Sequence, residues 1–260
     1  MRLDLALVQK KLISTRTKAK NAIEEGLVFY EGKPVTKPSF EIQNLENLEI
    51  RGSLMPYVSR GGLKLEKALK EFNIDLKDRV VLDIGSSTGG FTDCALQHGA
   101  KSVIAVDVGK DQMVSKLKQH PAITLYEQTD FRSIDINKIN TCSIAVSDVS
   151  FISVTKMIPK LKELPKLTDL ICLIKPQFEC GKEVADKYHG VIKDRKSHEK
   201  ILNSTLEAFS KNHFYLKNIV ASPIKGGSGN IEYLVHFVCE QTNFKPDLPT
   251  LINNAFKKLR

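Results

Sequence analysis

The chain has 260 residues, 42% of them hydrophobic and 27% charged, with a formal net charge of +9. That length and balance describe a globular chain with room for one large domain and a small companion, and they exclude disordered, collagen-like and transmembrane classes. The excess of cations favours a polyanionic partner, nucleic acid before an anionic membrane.

Five scattered cysteines without a C-x-x-C pair predict neither a zinc site nor a disulfide framework, and no metal ligand set is expected. Asp4, Gln9, Lys10 and Lys11 interrupt any apolar leader, and no stretch is long enough to span a bilayer. A cytoplasmic protein without stable membrane insertion is expected.

Residues Leu5–Ile23 carry Lys10, Lys11, Arg16, Lys18 and Lys20 and no anion. Leu5, Val8 and Leu12, then Ala19, Ala22 and Ile23, have helical spacing, with Ser14-Thr15 placed to cap the second helix. Gly26 stops that helix, and two short strands flank a turn at Glu31-Gly32. By itself this is a small αα-ββ unit with solvated charges. Its Arg2-Leu3-Asp4, Ser14-x-Arg16-x-x-Ala19, Ile23-x-x-Gly26-x-Val28 and Gly32-Lys33-x-Val35 resemble the S4-like RNA-binding domain. The resemblance implies that Arg2, Arg16, Lys18 and Lys20 lie along an RNA backbone, where phosphate contacts position the protein without reading bases.

Gly52 to Tyr57 reads as a linker, which puts a small domain at residues 1–57 and a large one at 58–260. Leu65, Ala68, Leu69 and Phe72 then form a helical stripe. Lys64, near the start of that helix, reads on its own as a solvated lysine.

The run Val80-Val81-Leu82-Asp83-Ile84 breaks into Gly85-Ser86-Ser87-Thr88-Gly89-Gly90 and continues through Phe91 into an amphipathic segment. This pattern predicts a buried strand, a tight turn and a helix whose free N–H groups suit an anionic group. A phosphate-binding loop requires a Gly-Lys-Ser/Thr ending, and residues 85–92 contain no lysine. The dinucleotide fingerprint wants glycine where Ser87 stands, so a nicotinamide dinucleotide is the second choice. S-adenosylmethionine has no pyrophosphate, and its carboxylate suits the helix start. Asp107, 22 residues after Gly85, ends the next apolar run and stands where a carboxylate grips ribose hydroxyls. Asp130 is placed to meet an adenine amine. The expected donor-binding set is Asp83, Gly85, Ser86, Ser87, Thr88, Gly89, Gly90, Phe91, Asp107, Asp130 and Asp148.

Further strands are expected around 123–126, 143–148, 169–174, 214–222 and 231–239. Strands alternating with helices imply an α/β, Rossmann-like, mostly parallel sheet, with Asp83, Asp107, Asp148 and Lys175 pointing into one crevice. The segment 180–200 reads as a loop entering a helix, with RNA contact as an option. Lys225-Gly226-Gly227-Ser228-Gly229-Asn230 reads as a hairpin loop, and Glu232 beyond it as either a surface or a site residue.

Asp83-Ile84-Gly85-Ser86-Ser87-Thr88-Gly89-Gly90-Phe91, Ser147-Asp148-Val149-Ser150-Phe151, Lys175-Pro176-Gln177-Phe178-Glu179 and Gly229-Asn230-Ile231-Glu232-Tyr233 together resemble the FtsJ-type RNA 2′-O-methyltransferases. With the RNA-binding module and Ser59-Arg60-Gly61-Gly62-Leu63-Lys64 at the junction, the chain is similar to the TlyA family of rRNA (cytidine-2′-O)-methyltransferases, also named haemolysins. The resemblance implies a class I methyltransferase domain with a seven-stranded sheet ending in an antiparallel hairpin. It also implies a catalytic tetrad of Lys64, Asp148, Lys175 and Glu232, with Arg60 on the RNA. Lys175 would act as general base, and Asp148 and Glu232 would hold the amines. The short N-terminus resembles the family's shorter type, so the large-subunit 23S rRNA is the favoured substrate and 16S rRNA the less favoured one. No Asn/Asp-Pro-Pro-aromatic motif points to base-amine methylation, and no cysteine has the activating partner that carbon-5 methylation needs. A membrane-active haemolysin and a non-catalytic RNA-binding assembly factor are the alternative classes.

Overall fold

The computed structural model describes residues 1–52, 54–181 and 190–259. The chain divides into two compact units, Met1–Pro56 and Tyr57–Arg260.

The smaller unit has two helices, α1 (Leu3–Gln9) and α2 (Arg16–Glu24), followed by three short strands, β1 (Val28–Tyr30), β2 (Lys33–Pro34) and β3 (Leu48–Ile50). The strands form an antiparallel sheet in the order β2-β1-β3. Leu3, Leu7, Ala19, Ile23, Val28 and Leu48 make its core. Thr15 caps α2 by accepting the Lys18 backbone N–H at 3.3 Å. β3 is not expected from the sequence, because three residues are too few to show an alternating pattern. Lys10, which reads from the sequence as a solvated cation, donates to the carbonyls of Leu45 at 2.7 Å and Leu48 at 3.2 Å. It holds the approach to β3 in place.

In the larger unit, α3 (Gly61–Phe72) precedes β4 (Val80–Ile84), α4 (Gly90–Gln97), β5 (Ser102–Val106), β6 (Ile123–Tyr126), β7 (Ile144–Ser147), β8 (Asp169–Ile174), β9 (Tyr215–Ala221) and β10 (Tyr233–Val238). They form the expected seven-stranded sheet, ordered β6-β5-β4-β7-β8-β10-β9, parallel except for β10, which runs antiparallel to both β8 and β9. Successive residues of a strand face opposite sides, and the core divides accordingly. Val81, Ile144, Val146, Ile171 and Leu173 pack beneath α3 and α4 with Leu65, Ala68 and Phe91. Leu82, Ile84, Ala145, Leu170, Cys172 and Ile174 face the other layer, with Leu202 and Phe209 of the helix Arg195–Ser210 and Ile252 of the helix Leu248–Lys258. Both faces are covered, which is why the strands read as continuous apolar runs.

Within the segment 180–200, the helix begins at Arg195, capped by Asp194, whose carboxylate accepts the Ser197 N–H at 2.8 Å. The expectation of a loop with RNA contact falls largely on residues 182–189, which lie outside the described residues. Among the described residues, no helix is long and apolar enough to cross a membrane.

Candidate active site

Strand register assembles the site. β7 and β8 are parallel neighbours with Ser147 opposite Cys172, so Asp148 leaves the sheet at its C-terminal edge. Tyr233 of antiparallel β10 pairs with Ile174 of β8, which sets Lys175 and Glu232 beside each other at that same edge. Ile84 pairs with Ser147, which brings Gly85 to Asp148. Pro176 ends β8 and starts a short helix, Pro176–Glu179.

Lys64 arrives from α3. It lies on the buried stripe with Leu65, Ala68 and Phe72, and it is 7% exposed. The solvated lysine expected from its position alone is therefore corrected: its Nζ donates to Asp148 Oδ2 at 3.1 Å and to Glu232 Oε2 at 2.8 Å. Lys175 Nζ stands 2.6 Å from Asp148 Oδ1 and donates to Ser150 Oγ at 2.8 Å. Asp148 thus bridges two amines, and Glu232 holds one of them. Glu232 is buried, which rules out the surface reading. Burial works against the Lys64 ammonium, but Asp148 and Glu232 outweigh it and raise its pKa above the ordinary lysine value.

Two cavities meet at the glycine turn. The larger, about 790 Å³, is lined by Lys64, Asp148, Lys175 and Glu232, with Arg60 and Lys225 also on its wall. The second, about 320 Å³, runs past Asp107, Asp130, Phe131, Val149 and Met157. Gly85, Ser87, Asp148, Ser150 and Phe151 line both.

The predicted donor residues divide between them. Ser86, Thr88, Gly90 and Phe91 line the larger cavity, although Phe91 is mostly a core residue against α3. Gly89, at φ +96°, lies beneath the turn, and a Cβ there would stand 2.4 Å from Leu117 Cδ1. Asp107 lines the second cavity, and its carboxylate accepts the N–H groups of Ser87 and Gly109, each at 2.7 Å. Asp130 also lines it, with its carboxylate paired to the Arg132 guanidinium.

Asp83 is a correction, because it does not open into the crevice. It shares the strand face of Val81, so its side chain turns beneath α4, where Thr92 Oγ1 donates to Oδ2 at 2.6 Å. Burial pushes its carboxyl up to about 7 against that hydrogen bond.

The arrangement fits an S-adenosylmethionine-sized ligand. Ser86, on the wall of the larger cavity, has a buried Oγ with no partner among the described residues, a polar atom of the kind that a bound ligand or water satisfies. Phe131, Val149 and Met157 give an apolar wall for a purine, while Asp107 and Asp130 supply acceptors.

Of the residues expected on RNA, Arg16, Lys18, Lys20 and Arg60 are exposed. Arg2 and Arg16 are anchored on the fully buried Asp4, which accepts Arg2 Nε at 3.1 Å and Arg16 Nε at 2.9 Å. Those two guanidiniums hold Asp4 at about 2, well below an ordinary carboxyl.

Three features of the site are absent from the sequence-based expectations. Ser150 accepts a hydrogen bond from Lys175. Phe151 is 91% exposed with φ +66° and touches the ring of Phe178 at 5.4 Å. Glu179 ties the loop that carries them, accepting Val154 N–H at 2.8 Å and the Ser153 hydroxyl. The available signal is their place in the motifs Ser147–Phe151 and Lys175–Glu179, shortly after a strand-ending acid or lysine, which assigns them no role.

The FtsJ-like methyltransferase family model matches residues 57–239 and the S4 domain model residues 1–49. Hemolysin A of Brachyspira hyodysenteriae is 45% identical over 243 residues, covering 92% of this chain and 100% of that protein. The 23S rRNA (cytidine-2′-O)-methyltransferase TlyA of Campylobacter jejuni is 38% identical over 259 residues, covering 92% of this chain and 99% of that one. A solved structure described as a hemolysin, from Streptococcus thermophilus, has a TM-score of 0.77 at 38% identity, over 99% of this chain and 96% of the other. The likeness to relatives runs through both the S4 domain and the larger unit, over nearly the whole length: the chain belongs to the FtsJ-like methyltransferases, in the TlyA group that carries an S4 domain.

Proposed function

We propose that the protein methylates the 2′-hydroxyl of a cytidine ribose in ribosomal RNA, 23S rRNA of the large subunit first, using S-adenosylmethionine. A ribosomal substrate implies a cytoplasmic reaction. The observation that carries the reading is the Lys64-Asp148-Lys175-Glu232 cluster on a cavity that shares its wall with a donor-sized one. The name and substrate of the Campylobacter jejuni relative support the choice of nucleotide and subunit.

Bound S-adenosylmethionine supplies an electrophilic sulfonium methyl. Gly85, Ser86, Ser87 and Gly90 would hold its amino-acid end on the turn that Gly89 shapes from beneath, Asp107 its ribose hydroxyls, and Asp130 with Phe131 and Val149 its adenine. The protein's remaining task is to make a ribose hydroxyl nucleophilic. Lys64 is held as an ammonium by two carboxylates, so it stabilises the negative charge growing on O2′. Among the described residues Lys175 has one carboxylate partner, Asp148, against two for Lys64, and of the two amines it is the one assigned, in its neutral form, to take the hydroxyl proton. Asp148 then steadies the ammonium formed. The exposed Phe151 ring offers a stacking face for a base at the cavity mouth. The S4 domain contributes phosphate contacts through Arg2, Arg16, Lys18 and Lys20.

Incubating ribosomal subunits and free rRNA with labelled donor tests this. Label should enter RNA with the wild type and not with Lys175→Ala. Transfer that survives Lys175→Ala unchanged would refute the assignment.

A further inference from the structure

The connection between β9 and β10 carries Gly226 and Gly227 side by side, yet the two have different surroundings. Gly226 rests on the carboxylate of Glu232: a Cβ added there would stand 2.3 Å from Glu232 Oε1 and 3.0 Å from Cδ. A Cβ added at Gly227 meets no described residue within 4 Å.

Movement of either partner in the Gly226–Glu232 contact breaks other contacts. The other oxygen of Glu232 takes the Lys64 ammonium at 2.8 Å, and the Glu232 side chain is 3% exposed. The loop is closed at its neck by the Ser222 N–H donating to the Glu232 carbonyl at 2.8 Å. Its tip is closed by Gly226 N–H to the Asn230 carbonyl at 2.9 Å and Gly229 N–H to the Gly226 carbonyl at 2.8 Å. Asn230, 1% exposed, fastens it from behind, accepting the Ile192 N–H at 3.0 Å and donating to the Gly190 carbonyl at 2.7 Å.

From this contrast we propose that Gly226 is a positioning residue for methyl transfer: its bare backbone backs the Glu232 carboxylate and fixes that carboxylate on Lys64. The proposal rests on the roles given to Lys64 and Glu232 above. A side chain at position 226 drives the carboxylate off the ammonium and leaves Lys64 to Asp148 alone. Asp148 then divides itself differently between Lys64 and Lys175. A packed loop thereby acts on the chemistry without touching substrate.

The test assays full-length variants for methyl transfer to ribosomal RNA, with S-adenosylhomocysteine affinity and thermal unfolding measured on each. Gly226→Ala lowers kcat by about 100-fold, the order expected for a catalytic group displaced by about 1 Å, while S-adenosylhomocysteine binds as to the wild type. Gly227→Ala keeps wild-type kcat. In a Glu232→Asp background the carboxylate is one methylene shorter, and Gly226→Ala there causes no further loss, as expected for two groups in contact. If Gly226→Ala does not fold, the Gly226→Ala/Glu232→Asp pair restores folding, because the shorter side chain withdraws from the added methyl while keeping a carboxylate for Lys64. Wild-type kcat in Gly226→Ala, an equal fractional loss in the Glu232→Asp background, or a double variant that stays unfolded would each overturn the proposal. Absence of transfer by the wild type would reject the underlying methyltransferase reading as well.

Discussion

Lys64 Nζ and Glu232 Oε2 meet at 2.8 Å across 168 residues of sequence. The pairing exists because the buried stripe of α3 delivers the lysine to the sheet edge where the Tyr233–Ile174 register places the glutamate. It gives one ammonium two carboxylates.

Lys64→Met leaves Asp148 and Glu232 facing each other without that cation. Removing one partner of a buried ion pair costs about 3–5 kcal/mol of stability, and methyl transfer falls by about 100-fold or more with the charge on O2′ unshielded. Lys64→Arg keeps the charge and retains most of the stability. Denaturant unfolding at pH 8 and single-turnover methyl transfer measure the two effects. Because the folded pKa of Lys64 is raised, its stabilisation is full below the ordinary lysine value of 10.5 and is lost as pH rises through the folded value.

Asp83 has the opposite sign from a salt-bridged carboxylate. Its folded pKa of about 7 lies above the ordinary 3.8, so between those values the folded state binds more protons than the unfolded one. Its burial therefore costs more stability as pH rises across that window. Asp83→Asn removes the cost and raises stability at pH 8 by up to roughly 4 kcal/mol, with little change at pH 4. Thermal unfolding of wild type and variant at the two pH values shows the difference. An equal shift at both would contradict the assignment.

Gly89→Ala combines an unfavourable φ of +96° with a Cβ 2.4 Å from Leu117 Cδ1. The expected cost is on the order of 1–3 kcal/mol. The turn moves with Leu117, so calorimetry should show weakened S-adenosylhomocysteine binding alongside the lower melting temperature.

Much of the fold is local in origin, and local patterns can be read. The strand, turn and helix around Gly85, the strand ending at Lys175 and the capped helix at Thr15 follow from apolar runs, glycines and a capping hydroxyl. Whether a strand-end acid faces the crevice depends on where its strand ends as well as on which layer its alternate positions meet. Alternation puts Asp83 and Asp148 on the same side, that of Val81 and Val146. Asp83 lies within its strand and turns under α4, whereas Asp148 stands one residue past its strand and meets Lys64 and Lys175 at the sheet edge. The signal for Lys64 is present in its place on the stripe of Leu65, Ala68 and Phe72, but a lysine on an apolar stripe states only that a partner must exist. The identity of that partner lies in long-range register, as do the surroundings of Ser150 and Gly226.

In the smaller unit the cations divide by their partners. Lys18 and Lys20 are exposed, so Lys18→Ala and Lys20→Ala weaken RNA binding and leave the melting temperature unchanged. Each also reduces the slope of log affinity against log salt by about 1 for every phosphate that the variant no longer neutralises. Arg16→Ala frees one side of buried Asp4, and it lowers the melting temperature as well as RNA affinity. Salt titrations of RNA binding, run beside thermal melts, separate the two classes.

The central claim, a base-and-acid cluster acting on a ribose hydroxyl, is tested most directly by mass spectrometric mapping of rRNA. The samples come from cells lacking the protein, with wild type restored and with Lys175→Ala restored. The predicted result is a 2′-O-methylcytidine in 23S rRNA that disappears without the protein, returns with the wild type and stays absent with Lys175→Ala. Ribose methylation identical in all three, or a protein-dependent methyl group found on a base, would contradict it.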